Sequence, residues 1–362
     1  MTMAVDHRSS VPRPNQKGEQ NAAARTDPEV VAPLVSIIID NYNYGHLITE
    51  AIDSALAQTY PNIEVVVVDD GSTDNSRDVI ARYGDRVVPV FKENGGQCSA
   101  FNAGFAACRG EIITLLDSDD VWDRDKVARV VDIFQRHPEV GWVGHKLTIT
   151  DEVLKPLGYT FPDRLETGLV PPDPHLHLER MVKVGVCGLS FRRSAGERAF
   201  PIPHEDGIWR TCADLYLMSM FAIEGIWGYT LDESLGLYRQ HAGQEFAQPD
   251  AIARRIERDA TISEALAEIW TQRTGRRFYS STVYKHRLVA TALTGHSIWS
   301  GERWRLLADG IRSVVDLLRP HPRLAARQGA AIMLAFAFPN WWTRRVFRRF
   351  GTQLVPRTAA TS

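Results

Sequence analysis

Residues 35–76 read VSIIIDNYNYGHLITEAIDSALAQTYPNIEVVVVDDGSTDNS, and the alternation within them decides the fold. Val35–Ile39 and Ile63–Val68 are short runs dominated by β-branched residues. Between them, Gly45–Gln58 brings Leu47, Ile48, Ala51, Ala55 and Leu56 onto one face at helical spacing. Strand, helix, strand implies parallel pairing through a right-handed crossover. Strands this continuously apolar belong to a sheet covered on both faces. The alternation continues with a polar helix over Thr73–Tyr83, a strand over Val87–Phe91, a small-residue helix over Gln97–Cys108 and a strand over Ile112–Leu116. A helix over Asp123–Arg136 follows, with Val127, Val130, Val131 and Phe134 at i, i+3, i+4, i+7. Further on, Val140–Ile149, Gly185–Arg192 and Gly228–Tyr238 read as strands and Asp214–Ala222 as a helix. Residues 155–180 read as irregular, and 249–350 as helices broken at Gly275, Gly301, Pro320 and Pro339.

The chemistry gathers at strand ends. The first strand runs into Asp40-Asn41-Tyr42-Asn43, the second into Asp69-Asp70-Gly71-Ser72, and the strand at 112–116 into Asp117-Ser118-Asp119-Asp120. Parallel strands place all three ends on one edge, where open α/β sheets bind ligands. Carboxylates crowded on one rim repel unless cations or hydrogen-bond donors offset them. A divalent metal bridging to a phosphorylated ligand meets that need, because hard cations prefer carboxylate and phosphate oxygen. The blander reading is that each aspartate only caps the next helix. An EF-hand over Asp70–Asp74 fails, since Asn75 stands where that loop needs glycine. Neither GxxxxGK[ST] nor GxGxxG occurs.

The same stretch, together with NGGQCSAFNAGFAACRGEIITLLDSDDVW at 94–122, closely resembles the large inverting family 2 of nucleotide-sugar glycosyltransferases. The resemblance is strong over 34–136, weaker to about 245, and does not extend to the leader or the C-terminal helices. It implies a layered α/β fold of GT-A type with a mostly parallel central sheet over 33–245, and the helical pattern beyond it reads as a helical C-terminal extension over 246–362. Within the first unit, 33–140 would bind the nucleotide-sugar and 141–245 the acceptor. By this resemblance Asp70 hydrogen-bonds the nucleotide base, and the backbone around Asp40 and Tyr42 flanks it. Asp117-Ser118-Asp119 looks like the DxD motif, with Asp117 near the ribose or metal and Asp119 on a divalent metal, Mn or Mg, bound to the diphosphate. Asp120 supports the site from one position further on, and Gln97 and Asn102 line the donor pocket. Asp40-Asn41 departs from the Pro-Thr or Pro-Asn that many members carry there. Asp214 in Cys212-Ala213-Asp214-Leu215-Tyr216 would deprotonate the acceptor hydroxyl, where the family more often has a Glu-Asp pair. Read without the resemblance, Asp214 is a helix cap. Tyr238-Arg239-Gln240-His241-Ala242-Gly243 resembles the family's YRxHxG run, so that His241 ligates the metal or contacts the diphosphate. Arg239 equally fits a structural ion pair, and His204-Glu205-Asp206 either an acceptor-side lid or a solvated loop.

Charge and composition bound the rest. The 362 residues carry a net −2, yet Leu317–Ser362 holds eight arginines and no lysine or acid, which leaves an acidic body. That balance, without a nucleic-acid motif, argues against nucleic acid as a partner. Four scattered cysteines form no CxxC pair and read as small buried hydrophobes. Residues 1–32 read as a disordered leader without an apolar signal core. No apolar run approaches the ~20 residues a membrane span needs. Aromatics and arginine pairs over 320–350 fit either an interfacial helix on an anionic membrane surface or a core helix with a basic face. The expectation is therefore a cytoplasmic enzyme, peripheral on the inner face of the cell membrane. It would move a sugar from a nucleotide diphosphate-sugar donor to a glycan or glycolipid acceptor in bacterial surface polysaccharide or glycolipid synthesis. The alternatives are a non-catalytic nucleotide-sugar or membrane-surface binding protein, and a nucleotidyltransferase. The latter needs a basic Gly-rich loop, and Asn41–Leu47 has no Lys or Arg.

Overall fold

Apolar runs become the strands of one ten-stranded sheet: β1 Val35–Asn41, β2 Ile63–Asp70, β3 Val88–Lys92, β4 Ile112–Asp117, β5 Val121–Trp122, β6 Val140–Thr150, β7 Pro156–Phe161, β8 Gly168–Val170, β9 Leu189–Arg192 and β10 Trp227–Arg239. The computed structural model describes residues 32–173, 177, 182–203, 207–242 and 244, and in the C-terminal part 251–275, portions of 281–288, 301–317 and 322–338. The leader, His204-Glu205-Asp206, Gly243, Pro320, Pro339 and the tail aromatics and arginine pairs beyond 340 lie outside the described residues.

The sheet order is β3-β2-β1-β4-β9-β6-β10-β5, with β7 on β6 and β8 on β10. As the strand–helix alternation predicts, β1 pairs in parallel with both β2 and β4, and β2 with β3. Antiparallel β9 separates β4 from β6. The period of two along each strand sorts side chains between two cores. Ile38, Val66, Val68 and Leu115 join Phe101 of α3 (Gln97–Ala107) and Phe221 of α5 (Ala213–Ile223). Ile37, Ile39, Val65, Val67 and Leu116 face α1 (Ile48–Leu56) and α4 (Lys126–Arg136). Each such fully buried aliphatic contributes about 1.5–3 kcal/mol, so both faces of the parallel half are well anchored beneath its polar rim. Between β2 and β3, the helix read over Thr73–Tyr83 shortens to α2, Ser76–Ala81.

The stretch read as irregular holds β7 and β8, a correction with a clear cause. Pro156–Leu157–Gly158 of β7 are exposed, and β8 is three residues long, so neither writes an apolar alternation. They exist because edge backbone finds partners on β6 and β10. Strand β10 is long and irregular against β6, and near its end it also pairs antiparallel with β5 at Gly236 and Leu237. That course sets Arg239 and His241 beside the exit of β4.

The C-terminal extension is helical: α6 Ala251–Thr274, α7 Gly301–Leu317 and α8 Pro322–Ala337. Ile262 and Leu266 of α6 join the core cluster that contains Phe221. Leu307, Ile332 and Ala335 bury between α7 and α8, while Met333 and Phe338 are exposed. No helix among the described residues is long and apolar enough to cross a membrane.

Candidate functional site

Register does the first part of the assembly. Because β1 pairs with both neighbours, Asp40 comes level with Asp117 and Asn41 with Asp69. The three acidic strand ends therefore share one rim, but their surroundings differ.

At the end of β2, hydrogen-bond donors fill the carboxylates. Asp69 accepts from Ser72 N–H at 3.1 Å, Arg77 Nε at 2.9 Å and Asn41 Nδ2 at 3.1 Å. Asp70 accepts from Gly95 N–H at 3.0 Å, Gly96 N–H at 2.7 Å and Lys92 Nζ at 2.5 Å. It thereby holds the 93–96 loop. Gly96 has φ +88°, and a Cβ there would lie 2.6 Å from the Arg210 carbonyl oxygen, so only glycine lets the 93–96 loop touch the loop that carries Arg210. Arg210 Nη2 closes the same contact on Asn94 Oδ1 at 2.6 Å.

At the ends of β1 and β4 the carboxylates face one another. Among the described residues no Lys or Arg forms an ion pair with Asp40, Asp117, Asp119 or Asp120. Burial first, then the neighbouring acids, pushes Asp40 and Asp120 well above the usual carboxylate range and Asp117 up to about 7. Asp117 accepts from Gln97 Nε2 at 2.9 Å, and Ser118 is buried with its N–H on the Asp40 carbonyl at 3.2 Å. Asp119 Oδ2 meets His241 Nε2 at 3.1 Å and Gln244 Nε2 at 3.3 Å. The His241 ring stands edge-on to Tyr44 at 5.3 Å. Tyr42, at the same strand end, is half exposed.

Arg239 takes the structural option. It is buried, pairs with Glu50 Oε2 at 2.8 Å, and donates from Nε to the Asp119 carbonyl and from its N–H to Asp120 Oδ1. It fixes the backbone that carries the DSDD run. Asn102 gives both ends of its amide to Ile202, at 2.8 Å each, and so clamps α3 to a segment one hundred residues on.

Asp214 is not the cap of its helix. Cys212 occupies that position in a left-handed conformation, φ 68°, and Asp214 lies in the first turn with Oδ1 accepting from Leu215 N–H at 2.8 Å. Its charge adds to the upward push on Asp117.

Cys187 and Tyr44 escaped the sequence reading. Cys187 lies between Asp117 and Asp120, and the oxygen and sulfur atoms of the three gather within 4.8 Å of one another. Burial and the two carboxylates push the thiol well above its usual range, so it keeps its proton and is a poor metal ligand. A hard divalent cation fits the rim itself. The buried Asp40 Oδ1 has no hydrogen-bond partner, and Asp119 with His241 presents an oxygen and an imidazole nitrogen side by side.

Comparison with known proteins bears on the family and the fold. Residues 36–192 match the family model described as glycosyl transferase family 2. An uncharacterized glycosyltransferase of Nostoc sp. is 40% identical over 225 residues, 57% of this chain and 65% of the relative. TuaG of Bacillus subtilis, provisionally assigned by name to teichuronic acid biosynthesis, is 31% identical over 38% of this chain and 59% of its own length. The chain thus spans less than two thirds of these relatives. Among solved structures, S. aureus TarS in complex with UDP-GlcNAc superposes with a TM-score of 0.52 at 18% identity, over 88% of this chain and 92% of that one. That likeness is one of fold.

Proposed function

Residues 36–192 belong to glycosyl transferase family 2 and adopt its GT-A fold, and from that premise we propose that the chain is a metal-dependent, inverting glycosyltransferase using a nucleotide diphosphate-sugar. The observation that carries the reading is the contrast on the rim: the acids at the β2 end are filled by donors, and those at the β1 and β4 ends face one another with no Lys or Arg ion pair among the described residues.

In this reading Asp40, Tyr42, Asp117 and Ser118 face the donor, and Gln97 orients Asp117. Asp70 and Asn102 shape the pocket by holding the 93–96 loop and α3. Asp119 and His241 would hold Mn or Mg, which when bound supplies positive charge to the departing diphosphate. Asp214 accepts the proton of the acceptor hydroxyl. The acceptor oxygen bonds the anomeric carbon as the carbon–oxygen bond to the diphosphate breaks, and a single displacement inverts the configuration. Bacterial surface polysaccharide or glycolipid is the acceptor class, and the basic tail would hold the enzyme on an anionic membrane. Full-length protein titrated with UDP-, GDP- and dTDP-sugars, with and without Mn²⁺, should bind one class in a metal-dependent way. Binding of none, or retained configuration in the product by NMR, overturns the proposal.

A further inference from the structure

We propose that the Cys187 thiol is a positioning residue that holds the donor-side carboxylate Asp117 in place by hydrogen bonding. The inference rests on the reading above, since it assigns Asp117 to the donor.

Cys187 lies in the 3₁₀ turn Val186–Gly188 just before β9 and is 1% exposed. Its backbone is pinned, because Trp122 Nε1 donates to its carbonyl at 2.9 Å. The Sγ atom is a junction. It accepts the Asp117 backbone N–H at 3.1 Å, and lies 2.9 Å from Asp120 Oδ2 and 3.3 Å from Asp117 Oδ2.

A thiol has one proton to give and a polarisable sulfur to receive. The shorter approach assigns the proton to Asp120, whose other oxygen takes the Arg239 N–H at 2.9 Å. Both oxygens of Asp120 are thus engaged within the protein. Asp117 is left with its main chain tethered to sulfur, one oxygen on Gln97, and the other beside the thiol. Fixed between two acids, the thiol separates a carboxylate that belongs to the scaffold from one that remains for the donor. Lys126, also fully buried, donates to Ser190 Oγ at 3.0 Å and to Thr114 Oγ1, so no carboxylate receives its proton directly. The DSDD turn is thus held by the thiol on its Asp117 side together with the buried Arg239 on its Asp119 and Asp120 side.

Two substitutions separate bonding from packing. Cys187→Ser keeps a donor and an acceptor and is slightly smaller; Cys187→Val keeps the site filled with a slightly larger apolar group and loses both. Calorimetry of the full chain with Mn²⁺ and UDP, GDP or dTDP should show Cys187→Val weakened about ten-fold, the loss expected of a hydrogen bond to a charged group, and Cys187→Ser within about three-fold of wild type. Valine at wild-type affinity, or serine as weak as valine, overturns the proposal. The infrared S–H stretch gives a readout that needs no ligand. The wild-type minus Cys187→Ser difference should show a band displaced to low frequency by the carboxylate, and a band at the free-thiol position overturns the proposal as well. If wild type binds none of the three nucleotides, the donor assignment fails and Asp117's positioning for a donor fails with it, whereas a displaced band in that case locates the error in the function and not in the hydrogen bond.

Discussion

The end of β2 and the ends of β1 and β4 carry the same residue type at the same structural place, yet they do opposite things. Asp69, Asp70 and Asp74 are satisfied from within. Burial alone would push Asp74 up, but hydrogen bonds from Ser76 and Gly45 outweigh it and bring the carboxyl below its usual value. Asp40, Asp117 and Asp120 are pushed the other way by burial and by one another. A carboxylate that accepts several N–H groups stabilises a loop; one that faces other carboxylates costs stability and is retained for what it binds. The contrast predicts opposite responses to neutralisation.

The largest effects should fall on rate and binding at the open end. Asp119→Asn should abolish metal-dependent nucleotide binding while the melting temperature holds or rises, because a repulsive charge is removed. Calorimetry with and without Mn²⁺ checks this, and unchanged metal dependence would remove Asp119 from the metal site. Asp214→Asn should lower transfer by about 10²–10⁴-fold with donor affinity kept, the range for a lost general base. Loss of donor affinity in parallel would mark Asp214 as structural instead.

At the closed end the effect should be on stability. Asp70→Ala strips the Gly95 and Gly96 N–H groups and the Lys92 ammonium of their shared acceptor. A loss of about 3 kcal/mol in denaturant unfolding is expected. A loss below about 0.5 kcal/mol, within the range of ordinary surface substitutions, would erase the contrast between the two ends.

Much of this was legible before the structure, for identifiable reasons. Strands β1, β2 and β4 are apolar on both faces, so their runs and ends can be read directly, and the rim follows from parallel pairing. Which end of the rim is filled could not be read. The donors to Asp70 come from Lys92, Gly95 and Gly96, more than twenty residues away. Cys187 reaches Asp120 and Asp117 across 67 and 70 residues, and a single cysteine in an apolar run carries no local sign of that. Arg239 is similar: its partner Glu50 is 189 residues distant. Sequence periodicity reports which face an element buries, and these pairings are set by how distant elements meet.

The finest test of the contrast is the pH dependence of stability without metal. Asp117 rises from a usual value of 3.8 to about 7 in the folded protein. A raised acid binds its proton more tightly when folded, so stability falls as pH rises from the unfolded value towards the folded one and levels off above it. Between pH 6 and pH 7 a single group shifted this far contributes a loss of about 1 kcal/mol. Buried His145 and His177 act in the opposite sense. Burial lowers them to about 3 and about 4, so their neutral folded forms favour folding increasingly as pH rises from there towards 6.5, and the gain levels off above it. The whole-protein profile therefore mixes opposing slopes, and the informative quantity is the difference between wild type and Asp117→Asn. The histidine contributions subtract out of it. Urea unfolding at pH 6 and pH 7 should show the variant gaining on wild type by about 1 kcal/mol across that unit. Saturating Mn²⁺ should shrink the gain, because a bound cation takes over the neutralising role of the proton. A difference independent of pH would show that Asp117 is ionised throughout, and the open end of the rim would then lack the mutual repulsion that sets it apart from the β2 end.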